Sequence, residues 1–211
     1  AAETADAVQN GAQFGINATF DSVDMAKVNA YQQRVVSSLY RGLQGLVKAR
    51  GVDYVSGWGK LVSSDTVEVA GQRYTGRHLV LATGSRPRTL PGLTIAGRFI
   101  TSDEALTLDY VPNSVIVLGG GVIGAEFASL WRSFGADVTI VEAMPHLLPA
   151  EDEAVSRAFE RGLRRRKVSF ITGDMFASAG QSEAGVDVVL ASGKQLTADL
   201  LLVAVGREPV T

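Results

Sequence analysis

The sequence predicts an α/β fold, a parallel sheet covered on both faces with an antiparallel β excursion ahead of it. Three observations carry this. SVIVL at 114–118 and DVTIVE at 137–142 are short, unbroken apolar runs of the kind that strands buried on both faces require. Between them lies VIGAEFASLWRSFG, whose Ile123, Phe127, Leu130 and Phe134 share one helical face. The pair of strands and the helix make a βαβ unit of about 30 residues, and such a unit forces its two strands to run parallel.

Taken in chain order, the first predicted element is a helix over 21–50. Val28, Tyr31, Val35, Leu39, Leu43 and Leu46 recur there at three- and four-residue steps, with Asp21 as N-cap and Gly51 as the stop. VDYVSGW, TVEVA and the buried-looking HLVLAT then read as short strands, with a turn at Gly71 and Gln72 between the second and its return. After the loop PGLTIAGRFITSDEALTLDYVPN comes the βαβ unit. EDEAVSRAFERGLRRR follows as a second helix and VSFIT as a third strand. From Gly180 to Leu202 further strands are expected, with a turn at Ser192 and Gly193 leading into the apolar DLLLVAVG.

One internal echo bears on domain organisation. LVLATGSRP at 79–87 and LLVAVGREP at 201–209 each place an apolar run before Ala-x-Gly and a proline shortly after. They read either as two ordinary strand ends or as two chain crossings that bracket an inserted domain.

Composition narrows the function classes. The 211 residues are 46% hydrophobic and 20% charged, an ordinary globular balance, and the net charge of -2 gives no electrostatic case for nucleic acid or an anionic membrane. The local basic run Arg161, Arg164, Arg165, Arg166 and Lys167 reads as a solvated helix end, where cations complement the helix dipole. No apolar run approaches the roughly 18 residues a membrane helix needs, and AAETADAVQN has no signal-peptide character, so a cytoplasmic setting is expected. With no cysteine the chain itself offers no disulfide, thiolate ligand or thiol nucleophile. His78 and His146 lie far apart without metal-ligand spacing.

The strongest local signal is GGGVIG. Gly119, Gly121 and Gly124 fit G-x-G-x-x-G, follow a predicted strand, open a predicted helix and are answered by an acid, Glu142, at the end of the next strand. In a Rossmann-like domain the first glycine makes a tight turn, the second lets a pyrophosphate approach the backbone, and the third lets helix and strand pack closely. The unpaired N–H groups of the helix start then face the pyrophosphate. Glu142 would accept hydrogen bonds from the adenosine ribose and repel a 2′-phosphate. No Arg or Lys lies between Glu142 and Arg157 to receive such a phosphate, so NAD is expected rather than NADP. Glu126, just inside this helix, reads from its position alone as a solvated surface acid.

GGGVIGAEFASLWRSFGADVTIVEAMPHLLPAEDE, LATGSRPRTLPG and LLVAVGREP together resemble the pyridine nucleotide-disulfide oxidoreductases, and most closely their dihydrolipoamide dehydrogenase branch. The resemblance covers essentially the whole chain. It implies an FAD-binding domain interrupted by an NAD-binding domain, with 1–112 the later part of the first FAD segment and 113–211 most of the NAD domain. It implies an NAD site at Gly119, Gly120, Gly121, Val122, Ile123, Gly124, Glu126, Glu142, Met175 and Gly206. Gly59, Thr83, Gly84 and Ser85 would lie against FAD, and Glu126 would stand near flavin and nicotinamide.

In such a protein dihydrolipoamide is oxidised and NAD accepts the hydride, in a homodimer that can serve a 2-oxoacid dehydrogenase complex. The family's amino-terminal FAD motif, its C-x-x-x-x-C disulfide and its carboxy-terminal His-Glu pair do not occur in these 211 residues, and Val210 stands where the family usually has Asn. The expectation is therefore a fragment that is not competent alone. Another flavoprotein reductase of the family and a non-catalytic NADH-binding module stay open as alternatives.

Overall fold

A computed structural model describes residues 1–210. In chain order the elements are α1 (Ala2–Gln9), α2 (Met25–Ala49), β1 (Gly59–Leu61), β2 (Thr66–Val69), β3 (Gln72–Thr75), β4 (Ser85–Pro87), β5 (Phe99–Ile100), α3 (Ser102–Ala105) and β6 (Ser114–Leu118). They continue with α4 (Val122–Ser133), β7 (Asp137–Glu142), α5 (Glu153–Arg165), β8 (Ser169–Thr172), β9 (Phe176–Ser182), β10 (Gly185–Leu190), β11 (Gln195–Ala198), β12 (Leu200–Val203) and β13 (Arg207–Pro209). Two compact units result, one of Ala1–Asn29 with Ser85–Pro209 and one of Ala30–Gly84 with Val210.

The larger unit is built on a five-stranded sheet in the order β5-β12-β6-β7-β8, every neighbour parallel. Because successive strand residues point to opposite faces, each apolar run feeds two cores. Val115, Val117, Val138, Ile140, Leu200 and Leu202 pack on one face against Phe127, Ala128 and Trp131 of α4 and Leu163 of α5. Ile116, Leu118, Val141, Leu201 and Val203 pack on the other against Val186, Val188 and Leu190 of the antiparallel sheet β11-β10-β9. The continuous apolar strands thus have the two covers that their sequence demands: helices on one side, a second sheet on the other.

The internal echo becomes a ladder. β13 pairs antiparallel with β4, Arg207 opposite Pro87 and Pro209 opposite Ser85, and Arg86 Nε meets Glu208 Oε1 at 2.6 Å. The chain's exit from the parallel sheet and its entry into this unit therefore run side by side.

The basic run at the end of α5 is solvated at Arg161, Arg164, Arg165 and Lys167, and Arg166 alone departs from that reading. Arg166 turns inward and donates to Ser133 Oγ at 2.7 Å, to Ser129 Oγ and to Asp6 Oδ2 at 3.2 Å, tying α5 to α4 and α1. Arg164 lies over the Phe170 ring at 4.5 Å. Helix α5 ends at Arg165 and Lys167 takes a positive φ of 60°, and this reversal turns Arg166 back toward α4.

In the smaller unit, β1, β2 and β3 form an antiparallel sheet whose β2–β3 turn is Ala70 and Gly71, both at positive φ. That two-residue turn matches the twist of the strands it joins. Helix α2 keeps its predicted stripe and stops at Gly51, but its cap is Asp24, whose Oδ1 accepts from Lys27 N at 3.1 Å, rather than Asp21. No residue of α2 is buried, and Leu39 and Leu43 are exposed.

Two expected strands are absent. VDYVSGW is irregular because β2 has only enough length to pair Gly59–Leu61, which leaves 52–58 without a partner. HLVLAT is likewise irregular and Val80 is 85% exposed, since no strand among the described residues lies alongside it.

Candidate dinucleotide site

A cleft of about 530 Å³ opens at the carboxyl ends of β6, β7, β8 and β12, where open α/β sheets hold their ligands. Its floor is the loop between β6 and α4. Gly119 has φ 102° and no room for a side chain, because a Cβ there would run into the Ala204 carbonyl at the end of β12. A Cβ on Gly124 would strike the carbonyl oxygen of Gly119 and crowd Val117, so this glycine sets how closely α4 approaches β6.

Gly121 is different. It has an ordinary φ of -72° and nothing stands within 4 Å of the place a Cβ would occupy. The structure therefore gives the first and third glycines packing reasons and leaves the second facing open space in the cleft. Gly121 is also the N-cap of α4 and supplies no capping side chain, so the helix presents its leading N–H groups uncapped.

The loop is held by the protein's own hydrogen bonds. Gly119 N donates to Val141 O at 2.8 Å, and the carbonyl of Gly120 accepts from Leu148 N at 2.8 Å. Glu142 closes the arrangement from the end of β7. Its Oε2 accepts from Gly120 N at 2.6 Å and its Oε1 from Met144 N at 2.8 Å, with 8% of the residue exposed. A carboxylate offers about four acceptor sites, so two are taken by backbone and the rest remain for hydroxyl donors in the cleft. The bracing role was invisible in the sequence, which marks the acid at the strand end but not the backbone groups it reaches.

Of the residues expected to hold NAD, Gly119, Gly121, Val122, Ile123, Glu142, Met175 and Gly206 line this cleft. Gly120 lies behind it, packed on Leu147 and Glu142, and Gly124 is buried in the helix. Glu126 is exposed on α4 and borders a separate depression with Ser129, Val155 and Phe159. Ser85 sits in β4, its hydroxyl and carbonyl both engaged by the Arg207 guanidinium at 2.8 and 2.6 Å. In the smaller unit Gly59 pairs with Val69 in β1, Thr83 is exposed, and the Gly84 carbonyl accepts from Val210 N.

Several lining residues were not anticipated. Leu90 comes from the loop after β4, Asp174 follows β8, and Ala204, Val205 and Arg207 follow β12. Arg207 is the single cation of the lining and Glu142 and Asp174 its two anions. Leu90 and Asp174 carry no motif of their own, while Arg207 belongs to the GREP half of the echo and could have been found from it. No group of side chains suited to a metal ion occurs among the described residues, and no helix there is long and apolar enough to cross a membrane.

Comparison with known proteins agrees with this geometry. A family model described as pyridine nucleotide-disulphide oxidoreductase matches residues 2–211. The dihydrolipoyl dehydrogenase of Pseudomonas aeruginosa is 39% identical over 202 residues, which are 92% of this chain and 43% of that protein. That of Bacillus subtilis is 33% identical over 215 residues, 93% of this chain and 45% of the relative. Among solved structures, LpdA of Mycobacterium tuberculosis superposes with a TM-score of 0.84 at 26% identity, covering 100% of this chain and 48% of the other. The HOCl-induced flavoprotein disulfide reductase RclA of Escherichia coli gives 0.77 at 30% identity, covering 90% and 44%. The chain thus spans less than half the length of the curated relatives it matches.

Proposed function

The chain belongs to the pyridine nucleotide-disulphide oxidoreductase family, and from that premise we propose that it is the NAD-holding part of a flavoprotein that oxidises dihydrolipoamide and passes the hydride to NAD. One observation carries the NAD assignment. Gly121 leaves a side chain's worth of open space directly at an uncapped helix N-terminus, in a loop whose other two glycines are fixed by packing. A pyrophosphate fits that space, where backbone N–H groups and the positive end of the helix dipole both favour an anion.

In this reading Gly121, Val122 and Ile123 hold the pyrophosphate, and Glu142 accepts from the adenosine ribose while keeping its grip on the loop. Bound NAD supplies a hydride acceptor and bound FAD the relay from the thiol substrate. The chain's part is to hold its nucleotide in register and keep the glycine loop in shape. Its Thr83–Gly84–Ser85 segment is proposed as one edge of the flavin site, on the resemblance alone. The rest of that site, the redox thiols and the homodimer surface are assigned to segments of the relatives that these residues do not cover. The same holds for attachment to a 2-oxoacid dehydrogenase complex. Domain limits at 112 and 113, and a place for Glu126 near the nicotinamide, are part of the same proposal.

The preference for NAD has its own support. Glu142 would meet a 2′-phosphate with like charge, and the only cation lining the cleft, Arg207, is already bonded to Ser85. Titrating NADH and NADPH into the purified chain tests this, with NADH expected to bind at least about tenfold more tightly. Glu142→Ala should weaken NADH and narrow the gap. Equal affinities in the wild type, or an unchanged gap in the variant, would contradict the assignment.

A further inference from the structure

Asp174 has no part in the chemistry described so far, yet it lines the same cleft as Glu142. Its position follows from the sheet. Glu142 ends β7 opposite Thr172 of β8, and Asp174 lies two residues further on, its N–H pointing back to Glu142 O at 3.3 Å. Asp174 therefore stands just beyond the ribose acid, on the side away from the glycine loop.

Its carboxylate is also built into place. Ser192, in the turn between β10 and β11, donates its N–H to Oδ1 at 3.2 Å and its hydroxyl to Oδ2 at 2.5 Å. The same turn pins the next residue, Ala191 N donating to Met175 O at 2.8 Å. No lysine or arginine pairs with Asp174 among the described residues. A carboxylate held by two neutral donors, half-buried and without a counter-cation, keeps acceptor sites free. Met175, 62% exposed, puts a polarizable thioether beside it.

We propose that Asp174 is a specificity residue for the base of the dinucleotide, its carboxylate accepting the exocyclic amino group of adenine while Met175 flanks the ring. This rests on the NAD reading above. With the ribose at Glu142, the group next outward along the nucleotide is the base, and of its substituents the 6-amino group is the hydrogen-bond donor. A hypoxanthine base carries a carbonyl oxygen at that position and would meet the carboxylate acceptor to acceptor, which costs more than a missing bond. Asp174 contacts no reacting atom in this account and sets only which base is tolerated.

The test is a titration of the 211-residue chain with NADH and with its hypoxanthine analogue, reduced nicotinamide hypoxanthine dinucleotide. The wild type is expected to bind NADH about tenfold more tightly than the analogue. Asp174→Ala should bring the two within about twofold, chiefly by losing affinity for NADH. Asp174→Asn keeps the shape and adds an amide donor, so it should recover the analogue and level or invert the preference. Circular dichroism of both variants confirms that they fold.

A wild type that binds NADH without preference, or variants that bind NADH and keep the wild-type ratio, would overturn the role of Asp174 and leave the NAD site standing. Failure of the wild type to bind either compound would overturn both.

Discussion

Three glycines within a six-residue stretch, Gly119, Gly121 and Gly124, meet three different surroundings, and single substitutions separate them. Gly124→Ala sets a methyl carbon against Gly119 O and Val117, where α4 packs on β6. It should destabilise the fold by roughly 1–3 kcal/mol, lowering the thermal midpoint by several degrees. Gly121→Ala meets nothing within 4 Å and keeps an allowed backbone. Its cost as an N-cap is under about 1 kcal/mol, but its methyl occupies the space assigned to the pyrophosphate, so NADH affinity should fall by about tenfold or more. Thermal melts beside NADH titrations check both; a Gly121→Ala chain that binds as the wild type does would remove the pyrophosphate from that space. The packing roles of Gly119 and Gly124 were legible in the sequence because backbone geometry dictates the glycine spacing. Asp174 and Leu90 were not, because each reaches the cleft from a separate loop and only the folded sheet brings them to Glu142.

At the scale of elements, the parallel strands and their helices were read correctly because burial on both faces leaves an unbroken apolar run. HLVLAT carries the same run and stays irregular, since composition marks a segment able to pair but does not provide a partner. Caps are similarly local: Asp21 and Asp24 are both good N-cap residues, and only the path of the chain selects the second.

Helix α3 went unread, being a single turn, yet it carries a full capping box. Thr101 Oγ1 accepts from Asp103 N at 3.3 Å, while Glu104 Oε2 accepts from Thr101 N at 2.8 Å and from the Thr101 hydroxyl at 2.6 Å. The Thr101 hydroxyl is the main reason the Glu104 carboxyl titrates below its ordinary range. A lowered pKa in the folded state means the ionised form favours folding. The gain is full above the unfolded value of 4.5 and is lost as pH falls through the lower folded value. Glu104→Gln should therefore cost about 0.5–1 kcal/mol at pH 7 and progressively less as the pH is taken below 4.5. Urea unfolding along a pH series measures this, and a gap that does not shrink in acid would show that the charge is not its source.

For the whole molecule, the echo between 79–87 and 201–209 coincides with a pairing, β4 lying antiparallel beside β13 within the larger unit. The exposed stripe of α2 and the irregular HLVLAT belong to the smaller unit, where apolar surface goes uncovered within these residues. The larger unit, by contrast, has two closed cores and a braced loop, and the central claim is made of it alone. At 22.3 kDa the chain suits amide-resolved nuclear magnetic resonance. The most direct measurement is to add NADH to nitrogen-15-labelled protein and follow the backbone amides. The largest shifts should fall on Gly121, Val122 and Ile123, with smaller ones at Glu142 and Met175. Saturable shifts confined to other parts of the chain, or none at all, would contradict a dinucleotide site at the start of α4.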